Sequence, residues 1–222
     1  FTPDGNPLVG PVRGVPNYWS ACGVMAGFAQ GGGVGLTLAQ WIIDGEPDGD
    51  VYAMDVARFG DYASPTYVID KAREFYAKRF QIAYPNEYWP AWRPVKTDVL
   101  YDTLAEQNAV FGVGYALEQP LYFAPEGAAP EEAASLKRSN AFPKVGLECL
   151  AVQKGVGVFD CSSFAKYEFS GPSAEAALDR IVASKLPSVG ETQSAPLLSS
   201  AGRLMGELTI MRVSSDRFIL TG

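Results

Sequence analysis

Apolar residues lie on every side of the segment that follows a glycine run near the start of the chain. The segment runs from Val34 to Ile43. Its apolar members after Val34 are Leu36, Leu38, Ala39, Trp41, Ile42 and Ile43. Because a helix that is apolar all round is typical of a protein interior, the pattern predicts a buried helix. Gly45 is suited to a left-handed C-cap, and Pro47 prevents the helix from continuing.

Glycines crowd the beginning of this predicted helix. They are Gly27, Gly31, Gly32, Gly33 and Gly35. A helix start collects unpaired backbone N–H donors and the positive pole of the helix dipole. Glycine also lets a flat ligand approach the main chain closely. The run therefore indicates contact with an anionic or electron-rich cofactor edge, although a glycine-rich turn before a core helix of an unrelated α/β domain explains it equally well.

The flanking segments supply further predicted elements. The run from Asn17 to Cys22 predicts a short buried strand that enters the glycine loop. Residues 67–83 have helical periodicity, and an apolar stripe along them predicts core packing. The stripe comprises Val68, Ala72, Phe75, Tyr76 and Phe80. Trp89 and Trp92 follow among prolines, where aromatic residues cover an interdomain seam or line a substrate mouth.

The last part of the chain mixes helices and strands. A helix is predicted from about Pro143 to Lys154, and an alternating strand over residues 165–170. Another helix is predicted to start at Gly171-Pro172 and to close by Leu186. Residues 204–213 and 218–221 are predicted to form a hairpin. This order indicates an α+β domain, whereas residues 1–46 read as the closing part of an α/β domain.

Composition and charge exclude several classes of protein. The formal net charge is -7 and Lys and Arg are not clustered, which argues against non-specific nucleic-acid binding. No apolar run is long enough to predict a membrane span. Three well-separated cysteines, Cys22, Cys149 and Cys161, predict buried thiols in a reducing compartment, and no metal site is predicted.

The chain contains no histidine. Within these residues there is consequently no Ser-His or Cys-His dyad and no imidazole ligand or proton shuttle. General acid–base chemistry would fall to Asp, Glu, Lys or Tyr. No residue of the chain is predicted to be catalytic.

Three stretches carry a family resemblance. FTPDGNPLVGPV, AGFAQGGGVGLTLAQWIIDGEP and DVARFG resemble the carboxyl end of the flavin domain of the dimethylglycine and sarcosine dehydrogenases. YWPAWRPVKTDVLYDTLAEQNAVFGVGYALEQPLYFAP resembles their linking domain. RSNAFPKVGLECLAVQKGVGVFDCSSFAKYEFSGP resembles the opening of their folate-binding domain, which is related to the aminomethyltransferase (T-protein) of the glycine cleavage system.

The resemblance implies a mixed α+β and α/β fold in three parts. Residues 1–48 would close an FAD-dependent oxidoreductase domain, residues 49–104 would form the linking domain, and residues 105–222 would open the T-protein-like domain. The chain, which starts at Phe1 without methionine, is read as an internal piece of a longer polypeptide and is expected to be inactive alone. The family resemblance further implies a bacterial cytoplasmic or mitochondrial matrix location.

The resemblance also assigns cofactors and a site. The residues expected to contact FAD are Gly27, Phe28, Ala29, Gln30, Gly31 and Gly32. The implied reaction is oxidative N-demethylation of a small methylated amine, with the one-carbon unit passed to tetrahydrofolate and the electrons to an unidentified acceptor. A flavin-binding but non-catalytic subunit or scaffold of a multi-subunit amine oxidase is the alternative.

One departure from the T-protein pattern affects the folate part. The T-protein has an acidic pair where this chain has Gly206 and Glu207, so the first acid is missing. This places aminomethyl transfer in doubt and leaves folate binding open. Glu207 is either a folate-facing acid or a carboxylate on the strand surface.

Overall fold

The computed structural model describes residues 1–222, which form two units, residues 1–158 and residues 159–222. The first unit contains two strand pairs and four helices. The second contains a four-stranded sheet and one helix. The mixed α/β fold class predicted from the sequence is confirmed.

The first unit begins with an antiparallel strand pair and the long helix beside it. Strand β1 (Leu8–Pro11) pairs with β2 (Trp19–Cys22), and helix α1 covers Phe28–Asp44. The helix packs through Trp41, whose ring lies so close to Gly10 that a Cβ there would come within 2.8 Å of it. Gly10 is therefore required by the contact between strand and helix.

Two predictions about burial in this region are wrong. Strand β2 is half-buried at Trp19 and exposed at Cys22. In α1 only Val34 is buried, whereas Ile43 is 79% exposed. The reason is that β1 and β2 cover one side of the helix, so its opposite apolar face has no partner within this chain. The C-cap is as predicted, since Gly45 is left-handed and its N–H donates to the Trp41 carbonyl oxygen.

Helix α2 (Pro65–Lys78) begins with a well-formed cap and ends five residues before Ala83, the predicted end. The Ser64 hydroxyl accepts a hydrogen bond from the Tyr67 N–H, and Pro65 occupies the first turn. The predicted core stripe is wrong at Tyr76 and Phe80, which are 41% and 86% exposed. The buried face is instead centred on Tyr67, which is 5% exposed.

A short helix and a hairpin follow. They are α3 (Tyr101–Glu106), β3 (Ala109–Gly114) and β4 (Leu117–Phe123). Tyr115 and Ala116 connect the strands with positive φ angles, as a two-residue hairpin loop requires. Residue Lys96 bonds to the start of β4 through its backbone, since its N–H donates to Ala116 and its carbonyl accepts from Glu118. Helix α4 (Phe142–Lys154) matches its prediction.

The second unit is an antiparallel sheet with one helix against it. Its elements are β5 (Lys166–Ser170), α5 (Ala174–Ile181), β6 (Thr192–Leu198), β7 (Leu204–Ser214) and β8 (Arg217–Thr221). The strand order is β5-β8-β7-β6, so the predicted strand and hairpin are confirmed. Leu178, Ile210 and Phe218 form a fully buried core between helix and sheet. Helix α5 ends before the predicted Leu186 because Val182 is extended.

Cys22, Cys149 and Cys161 are free thiols on the surface, so the prediction that they are buried is wrong. None of the helices combines the length and the apolar character needed to cross a bilayer.

Candidate functional site

The residues assigned to flavin contact lie at the start of α1. Gly27 is the N-cap, with φ 54° and ψ −119°, and the helix begins at Phe28. Gly31 and Gly32 therefore lie inside the helix, not in a loop before it. A residue with a Cβ is strained at Gly27 because of its positive φ, whereas Gly31 and Gly32 have no such constraint.

Most N–H donors of this helix start are already engaged. Ala29 donates to the Ala26 carbonyl oxygen at 3.1 Å, and Gly31 donates to that of Gly27 at 2.9 Å. Gln30 donates to the same Gly27 oxygen at 3.2 Å. The expectation of several unpaired donors is therefore wrong. The Phe28 N–H is the first-turn donor left without a backbone acceptor, and it lies at the positive end of the helix dipole.

The surface around these glycines is bare. A Cβ built at Gly27, Gly31 or Gly32 would meet no atom within 4 Å. Packing inside this chain consequently does not explain why glycine occupies these positions. A bare main-chain surface beside a free N–H is suited to the close approach of a flat, electron-rich ring edge. This surface fits the flavin assigned to it.

Gln30 adds a second polar group without a partner to the same segment. Its side-chain oxygen Oε1 is buried and accepts no hydrogen bond. A buried acceptor without a donor is unfavourable by about 1–3 kcal/mol. The segment thus carries one free donor, the Phe28 N–H, and one free acceptor on Gln30.

An arginine clamp holds together two of the stretches that carry the family resemblance. Arg58, 8% exposed, donates from Nε to Asp4 Oδ2 at 2.8 Å and from Nη2 to Asp4 Oδ1 at 2.9 Å. It also donates to the backbone oxygens of Asn6, Pro7 and Asp55. Asp4 thus anchors the amino-terminal turn, and the pair positions that turn beside the Val56–Arg58 3₁₀ turn.

Glu207 lies on β7 in the second unit and is exposed. Its carboxylate accepts a hydrogen bond from the Ser194 hydroxyl on the adjacent strand β6. This is the arrangement of a strand-surface carboxylate.

Sequence reasoning missed two buried polar side chains in the first unit. Glu118 is 2% exposed and accepts from Arg93, whose Nε lies 2.9 Å from Glu118 Oε1. Tyr67 is 5% exposed, and its hydroxyl makes no hydrogen bond within the protein. The available signal for the second was its position beside the apolar stripe of the predicted helix, one residue before Val68 and eight before Phe75. No local pattern predicts the burial of Glu118, because Glu118 and Arg93 are 25 positions apart in sequence.

The buried Tyr67 phenol is expected to make stability depend on alkaline pH. Burial above all, and then the charges of Tyr62 and Asp4, raise the pKa of Tyr67 from 10.0 to about 12. The unfolded chain ionises this phenol near 10.0 while the folded chain retains the proton. Its contribution to stability is therefore complete below that pH and is lost as pH rises through about 12.

Urea unfolding at a series of alkaline pH values tests this prediction. The unfolding free energy of the wild type is expected to fall more steeply above pH 10 than that of Tyr67→Phe. The exposed Tyr76→Phe on the same helix is the matched control and should behave as wild type. Parallel profiles for wild type and Tyr67→Phe would contradict the assignment.

Two family profiles match the chain. The GCVT N-terminal domain profile matches residues 100–222, which is more than half of the chain. The chain belongs to the GCVT N-terminal domain family. The FAD dependent oxidoreductase central domain profile matches residues 44–97. The chain therefore joins segments of a GCVT domain and an FAD dependent oxidoreductase.

Named relatives agree with the family resemblance. Mitochondrial dimethylglycine dehydrogenase of Mus musculus is 37% identical over 99% of this chain and 25% of its own length. Mitochondrial sarcosine dehydrogenase of Homo sapiens is 30% identical over 96% of this chain and 26% of its own. The mitochondrial pyruvate dehydrogenase phosphatase regulatory subunit of Mus musculus is 28% identical over 99% and 26%. The resemblance to the dimethylglycine and sarcosine dehydrogenases is confirmed, and this GCVT-family chain spans about a quarter of the length of these relatives.

Proposed function

We propose that this chain is part of a flavoenzyme that oxidatively demethylates an N-methylated amino acid of the dimethylglycine or sarcosine type. The one-carbon unit is passed to tetrahydrofolate. The observation that carries the proposal is the presence, in one chain, of segments that match an FAD dependent oxidoreductase and a GCVT domain. The 37% identity to dimethylglycine dehydrogenase over almost the whole chain supports it.

The start of α1 is assigned to flavin contact. The residues are Gly27, Phe28, Ala29, Gln30, Gly31 and Gly32. The free Phe28 N–H and the positive end of the helix dipole would stabilise negative charge on the N1/O2 edge of the ring. The bare surface at Gly31 and Gly32 would let that edge approach the main chain. When bound, FAD supplies the acceptor for a hydride from the N-methyl carbon.

The folate part follows from the chemistry of the oxidised amine. Loss of hydride from the methyl group leaves an iminium whose carbon is electrophilic. When bound, tetrahydrofolate would supply two nucleophilic nitrogens to that carbon and two protons to the departing amine. The one-carbon unit would leave as methylene-tetrahydrofolate and the demethylated amino acid as an ammonium ion, so no formaldehyde would be released.

The domain assignment and the location are part of the proposal. Residues 1–48 are assigned to the end of the flavin domain, residues 49–104 to the linking domain and residues 105–222 to the folate-binding domain. The profile matches at residues 44–97 and 100–222 lie close to these divisions. The mitochondrial matrix is the proposed location, because the named relatives are mitochondrial.

Formaldehyde release tests the folate step. The purified full-length polypeptide, of which this chain is proposed to be part, is supplied with dimethylglycine and an artificial electron acceptor, with and without tetrahydrofolate, and formaldehyde is measured. Formaldehyde is expected without tetrahydrofolate and is expected to decrease when tetrahydrofolate is present. Equal formaldehyde release in both reactions would contradict the folate step but not the demethylation.

A second candidate function is a flavin-binding subunit that does not oxidise amines. The 28% identity to the pyruvate dehydrogenase phosphatase regulatory subunit favours it. Such a protein would retain flavin, yet no methylated amine would reduce it. Consumption of dimethylglycine or sarcosine in the same reactions would exclude this alternative.

A further inference from the structure

A cavity of about 440 Å³ in the first unit lies apart from the residues assigned to flavin contact. Its walls come from the amino-terminal turn, α2, the proline-rich segment after α2 and the β3–β4 hairpin. Its aromatic lining consists of Phe59, Tyr62, Tyr67, Phe75, Tyr88, Trp89, Trp92 and Tyr115. A volume of this size with many aromatic side chains in its walls is typical of a small-molecule site.

Lysine and arginine side chains of the protein already make cation–π contacts with four of these rings. Lys96 Nζ lies 5.7 Å from the Tyr62 ring centre and Lys78 Nζ lies 5.2 Å from that of Trp89. The guanidinium groups of Arg58 and Arg93 lie 4.5 and 5.4 Å from the rings of Phe59 and Tyr88. These four rings are therefore already engaged by a cation of the protein and offer less attraction to a cationic ligand. The lining thus gives no preference to a methylated ammonium group, despite its aromatic character.

Two hydrogen-bond donors in the cavity wall have capacity to spare. Tyr67 is 5% exposed, and its hydroxyl makes no hydrogen bond within the protein. The hydroxyl oxygen nevertheless remains accessible to solvent. Lys71 donates one N–H to Glu74 Oε2 at 2.8 Å, which leaves two further N–H groups of the ammonium. Tyr67 and Lys71 are one helical turn apart on α2, so both project from the same face.

The other charged groups of the lining are already satisfied. Arg58 is paired with Asp4, and Arg93 is paired with Glu118. Glu87 is exposed and accepts a hydrogen bond from the Tyr84 N–H at 3.0 Å. Tyr67 and Lys71 are therefore the donors of the wall with spare capacity, because both arginines are paired, while the exposed Glu87 keeps acceptor capacity.

We propose that this cavity binds a small aromatic carboxylate. Its ring lies against the aromatic walls, and its carboxylate accepts hydrogen bonds from the Lys71 ammonium and the Tyr67 hydroxyl. A carboxylate matches two free donors, one of them charged, and a planar ring matches the walls. The site uses none of the residues assigned to flavin contact, so it goes beyond the proposed demethylation. A test of the site is therefore independent of a test of the demethylation.

Fluorine NMR of three ligands with the same ring tests the proposal. The probes are 4-fluorobenzoate, 4-fluorobenzamide and 4-fluorobenzylamine, which are anionic, neutral and cationic at neutral pH. Saturable line broadening is expected for the benzoate, with affinity about tenfold or more above that of the amide. The benzylamine is expected to bind most weakly.

Matched variants locate the binding. Tyr67→Phe keeps the ring and removes the free hydroxyl, and it is expected to weaken benzoate binding about tenfold. Lys71→Met is expected to weaken it at least as much. Tyr76→Phe and Arg73→Met change the exposed face of the same helix and should leave binding unchanged. Unfolding curves for each variant verify that the fold is retained.

The outcomes that overturn the proposal are distinct. Benzylamine binding as tightly as benzoate would show a cation site. Benzoate binding that is unaffected by Tyr67→Phe in a folded variant would place the carboxylate elsewhere. If no probe shows saturable binding up to about 10 mM, a concentration at which even a weak millimolar site would be occupied, the cavity is not a binding site for such ligands.

Discussion

Replacing Gly31 or Gly32 with valine in the full-length polypeptide is expected to abolish flavin binding while the fold remains intact. Both residues lie in α1 with ordinary helical geometry, and a Cβ at either would meet no atom of this chain within 4 Å. Valine has a better helix propensity than glycine by a few tenths of a kcal/mol, ~0.3–0.5, so the helix is not weakened. A branched side chain would, however, hold a flat ring edge away from the main chain.

Gly146→Val is the matched control for this experiment. Gly146 also lies in a helix, α4, and also has open space around its Cβ position, yet it lies outside the glycine run of α1. Flavin occupancy, measured from the ratio of visible to ultraviolet absorbance, is expected to be lost in the first two variants and kept in the control. Normal occupancy in Gly31→Val and Gly32→Val would show that the flavin does not contact this helix surface.

Replacing Arg93 with methionine is expected to lower the free energy of unfolding by about 3–5 kcal/mol. The Glu118 carboxylate is 2% exposed and depends on Arg93, which also donates from Nη2 to the Phe111 carbonyl oxygen at 3.0 Å. Removing the guanidinium leaves a buried carboxylate and a carbonyl without donors. Hydrogen bonding to Glu118, together with its charge, raises the pKa of Arg93 and keeps that guanidinium protonated.

Urea unfolding of Arg93→Met and Arg73→Met measures this effect against a control. Arg73 forms an exposed pair with Asp70 at 3.2 Å, and its side chain is 74% exposed. Such surface pairs contribute about 0.5 kcal/mol or less. Equal stability losses in the two variants would contradict a special role for the buried pair.

Local signals in the sequence predicted those elements whose ends are set by nearby residues. Gly45 and Pro47 end α1, and the bounds of α4 and the β7–β8 hairpin agree with the patterns that predicted them. In each case the determining contact lies within a few residues, for example the bond from the Gly45 N–H to Trp41. Propensity and spacing are sufficient for such contacts.

Burial and the donors of the candidate site could not be predicted in this way. The pattern of α1 shows that its faces are apolar, but only the position of β1 and β2 decides that a single face is covered. The Arg58–Asp4 clamp joins residues 54 positions apart, and the cavity beside Tyr67 is formed by several such distant segments. The glycine run suggested many free donors, yet local turns engage all but that of Phe28.

Anaerobic reduction of the flavin decides whether this chain is part of an N-methyl amino acid demethylase. The visible absorption spectrum of the full-length polypeptide that contains this chain is recorded, and dimethylglycine and then sarcosine are added in the absence of oxygen. A flavin band that is bleached by one of these amines is the predicted result. A flavin band that neither amine reduces, or the absence of any flavin band, would contradict the assignment of this chain to an N-methyl amino acid demethylase.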